Sequence, residues 1–219
     1  MHRDDVAGVL VEPMLQGAGG MVIWPSEFLA GVRALCDKYD TLLIADEVLT
    51  GFGRTGRMFA CEHAQIDPDI LCLSKALTAG YLPLAATVAS AKIYDAFLSE
   101  DRSRTFFHGH SYTANPLACA VGLASLDLFR DGAVLERISR LEEQLRTGLK
   151  TIKEIAIVGD VRVIGAVAVI ELETDSGGYL DQLGPKLTSM FLSRGLLLRP
   201  LGNILYFMPP YVITDEEVD

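Results

Sequence analysis

Positive charge is what this sequence has least of. Its 219 residues carry 19 Lys and Arg against 29 Asp and Glu, a formal net charge of −10, and the basic residues are scattered without a stripe. Nucleic acid and anionic membrane surfaces are therefore not its expected partners. Long apolar runs are missing as well: no uncharged stretch approaches the roughly 20 residues that cross a bilayer. The start, Met1-His2-Arg3-Asp4-Asp5, is charged and no hydrophobic region follows, so no secretory leader is expected and the expected location is cytoplasmic. Cys36, Cys61, Cys72 and Cys119 show no paired spacing, which predicts reduced thiols. His108 and His110 form an H-x-H pair with no further ligand-like cluster beside it, so a loop role is expected there and no metal. Internal repeats and low-complexity segments are absent.

Half of the residues are hydrophobic. Without a membrane span, that excess implies a substantial core plus a large interface. Residues 6–11 read as a buried strand ending at Glu12-Pro13, followed by a glycine-rich loop at 16–20. Trp24-Pro25-Ser26 opens a helix on which Phe28, Leu29, Val32, Leu35, Cys36 and Tyr39 share one face. The wholly apolar run 42–45 completes a β-loop-α-β unit and stops on two acids, Asp46 and Glu47. A second apolar run, 70–73, stops on Ser74-Lys75. Ligands of open α/β sheets bind beyond the carboxyl ends of the strands. Parallel neighbours would thus bring a carboxylate and an amine to one edge. A pyridoxal phosphate enzyme needs that pair, a lysine to hold the aldehyde as a Schiff base and an acid to keep the ring nitrogen protonated.

Between the two runs, Gly51-Phe52-Gly53-Arg54-Thr55-Gly56 imitates a dinucleotide fingerprint. The imitation fails on context. The first glycine comes too late after the strand, and Pro68 cuts short the helix that should follow. Further on, Asn115-Pro116 is a helix start, and the helix is rich in small residues that predict close backbone packing. A domain change is expected near Arg130-Asp131-Gly132. Beyond it come an amphipathic helix to about Lys153 with Leu135, Ile138, Leu141, Leu145, Leu149 and Ile152 inward, and strands around 161–172. A turn at 176–178, a helix over 180–194, and strands at 196–199 and 204–208 follow. The chain closes on a capping box, Thr214 to Glu217, that announces a helix with no room to form. Both ends read as cut.

The runs EPMLQGAGG, LLIADEVLTGFGRTGRMFACEHAQIDPDILCLSKALTAGYLPLA and FFHGHSYTANPLACA together resemble the class III pyridoxal phosphate-dependent aminotransferases. RPLGNILYFMPPY near the end favours the branch that acts in biotin synthesis. The resemblance implies an α/β fold of fold-type I. Residues 1–130 would belong to the large, mostly parallel-sheet cofactor domain and 131–219 to a smaller α+β domain, together about the C-terminal half of such an enzyme. It implies pyridoxal 5'-phosphate as cofactor, a small-molecule amino donor and a keto-acid acceptor as partners, and a homodimer with shared active sites. Lys75 would hold the cofactor and move the proton, Asp46 would pair with the ring nitrogen, and Val48 would pack on the ring. Ser111 would bind the phosphate in the other subunit's site. Arg199 would take the acceptor's carboxylate, and Arg54, Tyr211 and Gly109 would line the substrate pocket.

Plainer roles stand beside these: Val48 as core, Arg54 tying down the glycine loop, Tyr211 packing beside Pro209-Pro210, Ser111 at a helix entry, and Glu12 as a structural hydrogen-bond partner or a group that orients substrate. Leu49 departs from the Gln common in the family, and His110 from the proline common in the branch. The donor is left open between S-adenosylmethionine and lysine, and the acceptor between the branch's own and that of another ω-aminotransferase. Without the family's N-terminal half, the 219 residues alone are expected neither to hold cofactor well nor to turn over.

Overall fold

The computed structural model describes residues 5–174, 178 and 182–219. Most of the expected turn at 176–178 and the start of the helix expected from 180 lie outside the described residues. The first unit begins with strand β1 (Gly8–Val11). A small hairpin, β2 (Leu15–Gln16) and β3 (Val22–Ile23), then frames the glycine loop, and helix α1 (Ser26–Lys38) leads into β4 (Leu42–Asp46). Strand β5 (Ile70–Leu73) follows, then β6 (Ala86–Ala89) and the short helix α2 (Ala91–Phe97). The sheet order is β1-β4-β5-β6, with β1, β4 and β5 parallel and β6 antiparallel to β5. The turn back is physical: the β5–β6 connection holds one 3-10 turn, Lys75–Thr78, and lacks the crossover helix a parallel return requires.

Burial alternates along β4. Leu43 and Ala45 are fully buried, and the next residue in step, Glu47, continues that face. Ala45 packs there against Leu29 of α1 and Cys61. Of the helix face expected to be inward, Leu29 and Cys36 are buried, but Phe28, Leu35 and Tyr39 remain exposed. The sheet receives only a narrow line of α1, and Phe28 instead stacks on Trp24 at 4.9 Å between ring centroids.

Helix α3 (Pro116–Asp127) is capped by the Asn115 side chain, which accepts from the Leu117 and Ala118 N–H groups. Its small residues permit the predicted close approach. A Cβ on Gly122 would sit 3.6 Å from the Leu77 carbonyl, and Ser125 Oγ donates to the Ala76 carbonyl at 3.2 Å. Helix α3 thereby backs the Lys75–Thr78 turn.

The second unit comprises α4 (Ala133–Gly148), β7 (Val158–Ile164), β8 (Val167–Leu172), α5 (Leu183–Leu192), β9 (Ile204–Phe207) and α6 (Asp215–Val218). Its sheet is antiparallel in the order β7-β8-β9. Ile138, Leu141 and Leu145 of α4 meet Val163, Ala166 and Ala168 in its core. Helix α4 stops at Gly148, short of the expected end, and Ile152 lies in a separate 3-10 turn. Residues 196–199 are not a strand. They have no ladder partner among the described residues, Leu197 is 86% exposed, and Pro200 offers no N–H to pair. The capping box at Thr214 and Glu217 does lead into a helix, a single turn long. A further core joins the two units, Met14, Leu15 and Met21 of the glycine hairpin meeting Ile164, Val167, Val169 and Ile204. Among the described residues no helix is long and apolar enough to cross a membrane.

Candidate functional site

The register of the parallel pair sets the site. Asp46 stands opposite Cys72 at the carboxyl end of β4 and β5, and Lys75 follows three residues beyond Cys72. Acid and amine therefore share one sheet edge, as the sequence predicts. Asp46 Oδ1 accepts the Val48 N–H at 3.0 Å, which holds the carboxylate by its own turn. Neither the other oxygen of Asp46 nor the Lys75 amine has a hydrogen bond or ion pair among the described residues. Lys75 is exposed, with φ +43, a left-handed conformation that side-chain-bearing residues rarely adopt and that concentrates at functional sites. The turn that holds it is tied down on both sides. Ser74 Oγ donates to the Leu84 carbonyl at 2.8 Å and Thr78 Oγ1 to the Leu82 carbonyl at 2.5 Å. Burial, and then the charge of Asp46, push the Cys72 thiol up, so it stays protonated beside the site.

Glu12 directly follows β1, which pairs with β4. Its Oε2 accepts the Gly17 N–H at 2.9 Å, closing the glycine loop. A Cβ on Gly17 would lie 2.5 Å from Leu49 Cδ2, so the loop also presses on the Asp46 turn. The structural alternative for Glu12 is thus realised in the hydrogen bond it makes.

The sequence marks Glu47 only as a second acid at the strand end. It is completely buried. Its Oε2 accepts from Thr50 Oγ1 at 3.0 Å and from the Ala60 N–H at 2.7 Å, and its Oε1 from the Cys61 N–H at 2.9 Å. Burial, and then the charge of Glu47, push the Cys61 thiol up, so it stays protonated beside the carboxylate. The available signal was its position two residues after Ala45, on the buried face of β4.

The glycine loop around Arg54 is clamped to the second unit. Arg54 Nη1 donates to the carbonyls of Pro209 (3.0 Å) and Ala166 (3.3 Å), and the Ala166 N–H returns a bond to the Arg54 carbonyl at 3.1 Å. The guanidinium lies 4.6 Å from the centre of the Tyr211 ring, and Tyr211 donates to the Phe52 carbonyl at 2.9 Å. Burial draws the Arg54 pKa down and the Tyr211 pKa up, each opposed by the other partner's charge. Gly165, at φ +51, presses on the same loop: a Cβ there would lie 2.4 Å from the Gly56 nitrogen. Arg54 and Tyr211 are therefore brought together, on the side of the loop that meets the second sheet.

Three of the expected residues are not gathered here. Gly109 and Ser111 lie in an exposed segment, where His110 N–H donates to Thr113 Oγ1 (2.9 Å) and Tyr112 N–H to His110 Nδ1 (3.2 Å). Among the described residues the hydrogen bonds of this segment reach no further than Arg102 and Asn115, and Phe106 packs against Phe97. Arg199 is exposed in the irregular stretch before β9 and makes no ion pair among the described residues.

The whole chain, residues 1–219, matches the model of the family "Aminotransferase class-III". It is 50% identical over 224 residues to an adenosylmethionine-8-amino-7-oxononanoate aminotransferase from Geobacter sulfurreducens, covering 100% of this chain and 49% of that one. The crystal structure of the Methanocaldococcus jannaschii protein of the same name superposes with a TM-score of 0.89 at 40% identity, over 95% of this chain and 50% of that one. An ω-transaminase from Pseudomonas jessenii, solved in complex with PMP, gives 0.89 at 32% identity, over 97% and 48%. The chain spans about half the length of the curated relatives it matches. Strand-end acid, strand-end lysine, the mixed sheet and these likenesses agree: the chain belongs to the class III aminotransferases.

Proposed function

We propose that this chain supplies the ring-nitrogen and lysine side of a pyridoxal phosphate site. The whole enzyme would transfer an amino group to 8-amino-7-oxononanoate, giving the 7,8-diamine of biotin synthesis. The observation that carries this reading is the shared edge of β4 and β5, where Asp46 and Lys75 both present polar atoms with no partner among the described residues. An amine and a half-satisfied carboxylate fit an aldehyde-bearing cofactor with a basic ring nitrogen. When bound, that cofactor supplies the electron sink for the transfer. Asp46, fixed by Val48, keeps a proton on the ring nitrogen. Lys75 Nζ anchors the cofactor and then carries a proton to and from the substrate carbon. Val48 packs on the ring.

Arg199, a guanidinium with no carboxylate partner among the described residues, suits the carboxylate of the acceptor. Ser111 and Gly109, which this fold does not bring to its own edge, would serve a second subunit of a homodimer. Arg54 and Tyr211 would hold the substrate-side wall against the second unit. Residues 1–130 would form part of the cofactor domain and 131–219 the smaller domain. The names of the relatives support S-adenosylmethionine as donor, with lysine as the alternative.

The test is an absorbance spectrum of the enzyme with pyridoxal phosphate. A visible band is expected, lost in Lys75→Ala together with all transamination. Only the true donor bleaches the wild-type band. A band that survives in Lys75→Ala, or no diamine formed from 8-amino-7-oxononanoate, overturns the corresponding part of the reading.

A further inference from the structure

The least economical residue in the first unit is Glu47. It continues the apolar line Leu43–Ala45 on the buried face of β4, yet it is a carboxylate with no exposed surface. Burying such a group is unfavourable unless its oxygens are fully met. Here they are met by three donors: the Thr50 hydroxyl and the Ala60 and Cys61 backbone N–H groups. Two of these lie 13 and 14 residues further along the chain, so one side chain closes the whole loop from 47 to 61. The closure also acts across the strand. Successive side chains of a strand point to opposite faces. Anchoring Glu47 inward therefore commits Asp46 to the open face, and the backbone at 47, whose N–H donates to the Cys72 carbonyl at 3.0 Å, is held in step with β5.

We propose that Glu47 is a positioning residue for the cofactor edge: its buried anchor aims Asp46 at the open face and closes the loop that carries Val48 and Arg54. This rests on the pyridoxal phosphate reading above. Glu47 touches neither cofactor nor substrate in this scheme. Its effect passes through the geometry of Asp46. The donor set also explains why a carboxylate is required. In Glu47→Gln, either orientation of the amide turns its NH2 toward a backbone N–H, Ala60 on one side or Cys61 on the other.

The test uses the holoenzyme and three variants, Glu47→Gln, Thr50→Val and Asp46→Asn. Pyridoxal phosphate dissociation and the pH midpoint of the visible band are measured on the folded fraction, alongside the melting temperature. Glu47→Gln is expected to weaken cofactor binding about tenfold or more, the scale of an unmet buried hydrogen bond. It should move the spectral midpoint in the same direction as Asp46→Asn. Thr50→Val, which removes one donor and leaves both backbone donors, is expected to move both quantities the same way by a smaller factor. A purely structural staple would lower the melting temperature and leave affinity and midpoint at their wild-type values, and that result would overturn the proposal. Where Glu47→Gln does not fold, Thr50→Val decides by the same criteria. A wild-type enzyme with no band sensitive to Lys75→Ala instead removes the cofactor reading, and the proposal with it.

Discussion

Two loops carry four of the candidate residues, Val48 and Arg54 in one and Gly109 and Ser111 in the other, and they are built in opposite ways. The loop from 47 to 61 is closed by a buried carboxylate at its root, and it is gripped by Gly165, Ala166 and Tyr211 at its tip. The segment from 105 to 113 is exposed throughout, and among the described residues its hydrogen bonds reach no further than Arg102 and Asn115. The first loop presents residues whose positions this chain decides. The second presents residues that this chain leaves exposed.

The comparison breaks most readily at Gly165. A methyl group there would collide with the backbone of Thr55 and Gly56 and force an L side chain to φ +51. Gly165→Ala is expected to cost about 3 kcal/mol or more in a denaturant melt and to release the tip of the buried loop. A cost within about 0.5 kcal/mol, the range of an ordinary surface substitution, would show that the clamp does not hold.

A smaller effect is expected at the root of β4 and β5. Asp69 Oδ2 accepts from the Leu43 N–H and from Arg33 Nη1, each at 2.8 Å. Burial by itself would raise the Asp69 pKa, but the Leu43 bond and Arg33 outweigh it and hold the carboxyl below its ordinary value. The folded value lies below the unfolded one. The stabilisation is thus complete above the unfolded value of about 4 and is lost as pH falls through the folded value. Asp69→Asn should cost about 1–3 kcal/mol near neutrality, and the gap from wild type should close in acid. Urea melts of both proteins across that range measure it. A gap that stays constant down to strong acid would contradict the assignment.

Ser111→Ala should have the smallest effect on stability, within about 0.5 kcal/mol, because Ser111 is exposed and its hydroxyl has no hydrogen-bond partner among the described residues. If the exposed loop serves a second subunit, the same substitution weakens pyridoxal phosphate binding in the assembled enzyme. Equal cofactor affinity in Ser111→Ala and wild type would end the phosphate role.

Much of the candidate site could be read without coordinates. The apolar runs ending at Asp46 and at Ser74-Lys75 are local signals of buried parallel strands, and both formed where they were expected. The start of α3 at Asn115-Pro116 is equally local, because the capping oxygen and the ring of proline act within one turn. The rejection of GFGRTG as a dinucleotide fingerprint also stands on local grounds, since only the short 3-10 turn Ala60–His63 follows it. What could not be read depended on distant partners. Leu196 to Arg199 carries a strand-like pattern, but a strand exists only where a neighbour completes its ladder. Leu35 and Tyr39 fit a helix face that the sheet does not reach.

The acids at the end of β4 show where that division falls. The sequence by itself determined that a carboxylate and a lysine would emerge at one edge of a parallel sheet, because strand length, alternation and strand ends are properties of a few consecutive residues. Only the tertiary structure decided which acid faces outward and which is spent inside. That choice depends on Thr50, Ala60 and Cys61 arriving together beside Glu47, and on the penalty a buried carboxylate would carry without them.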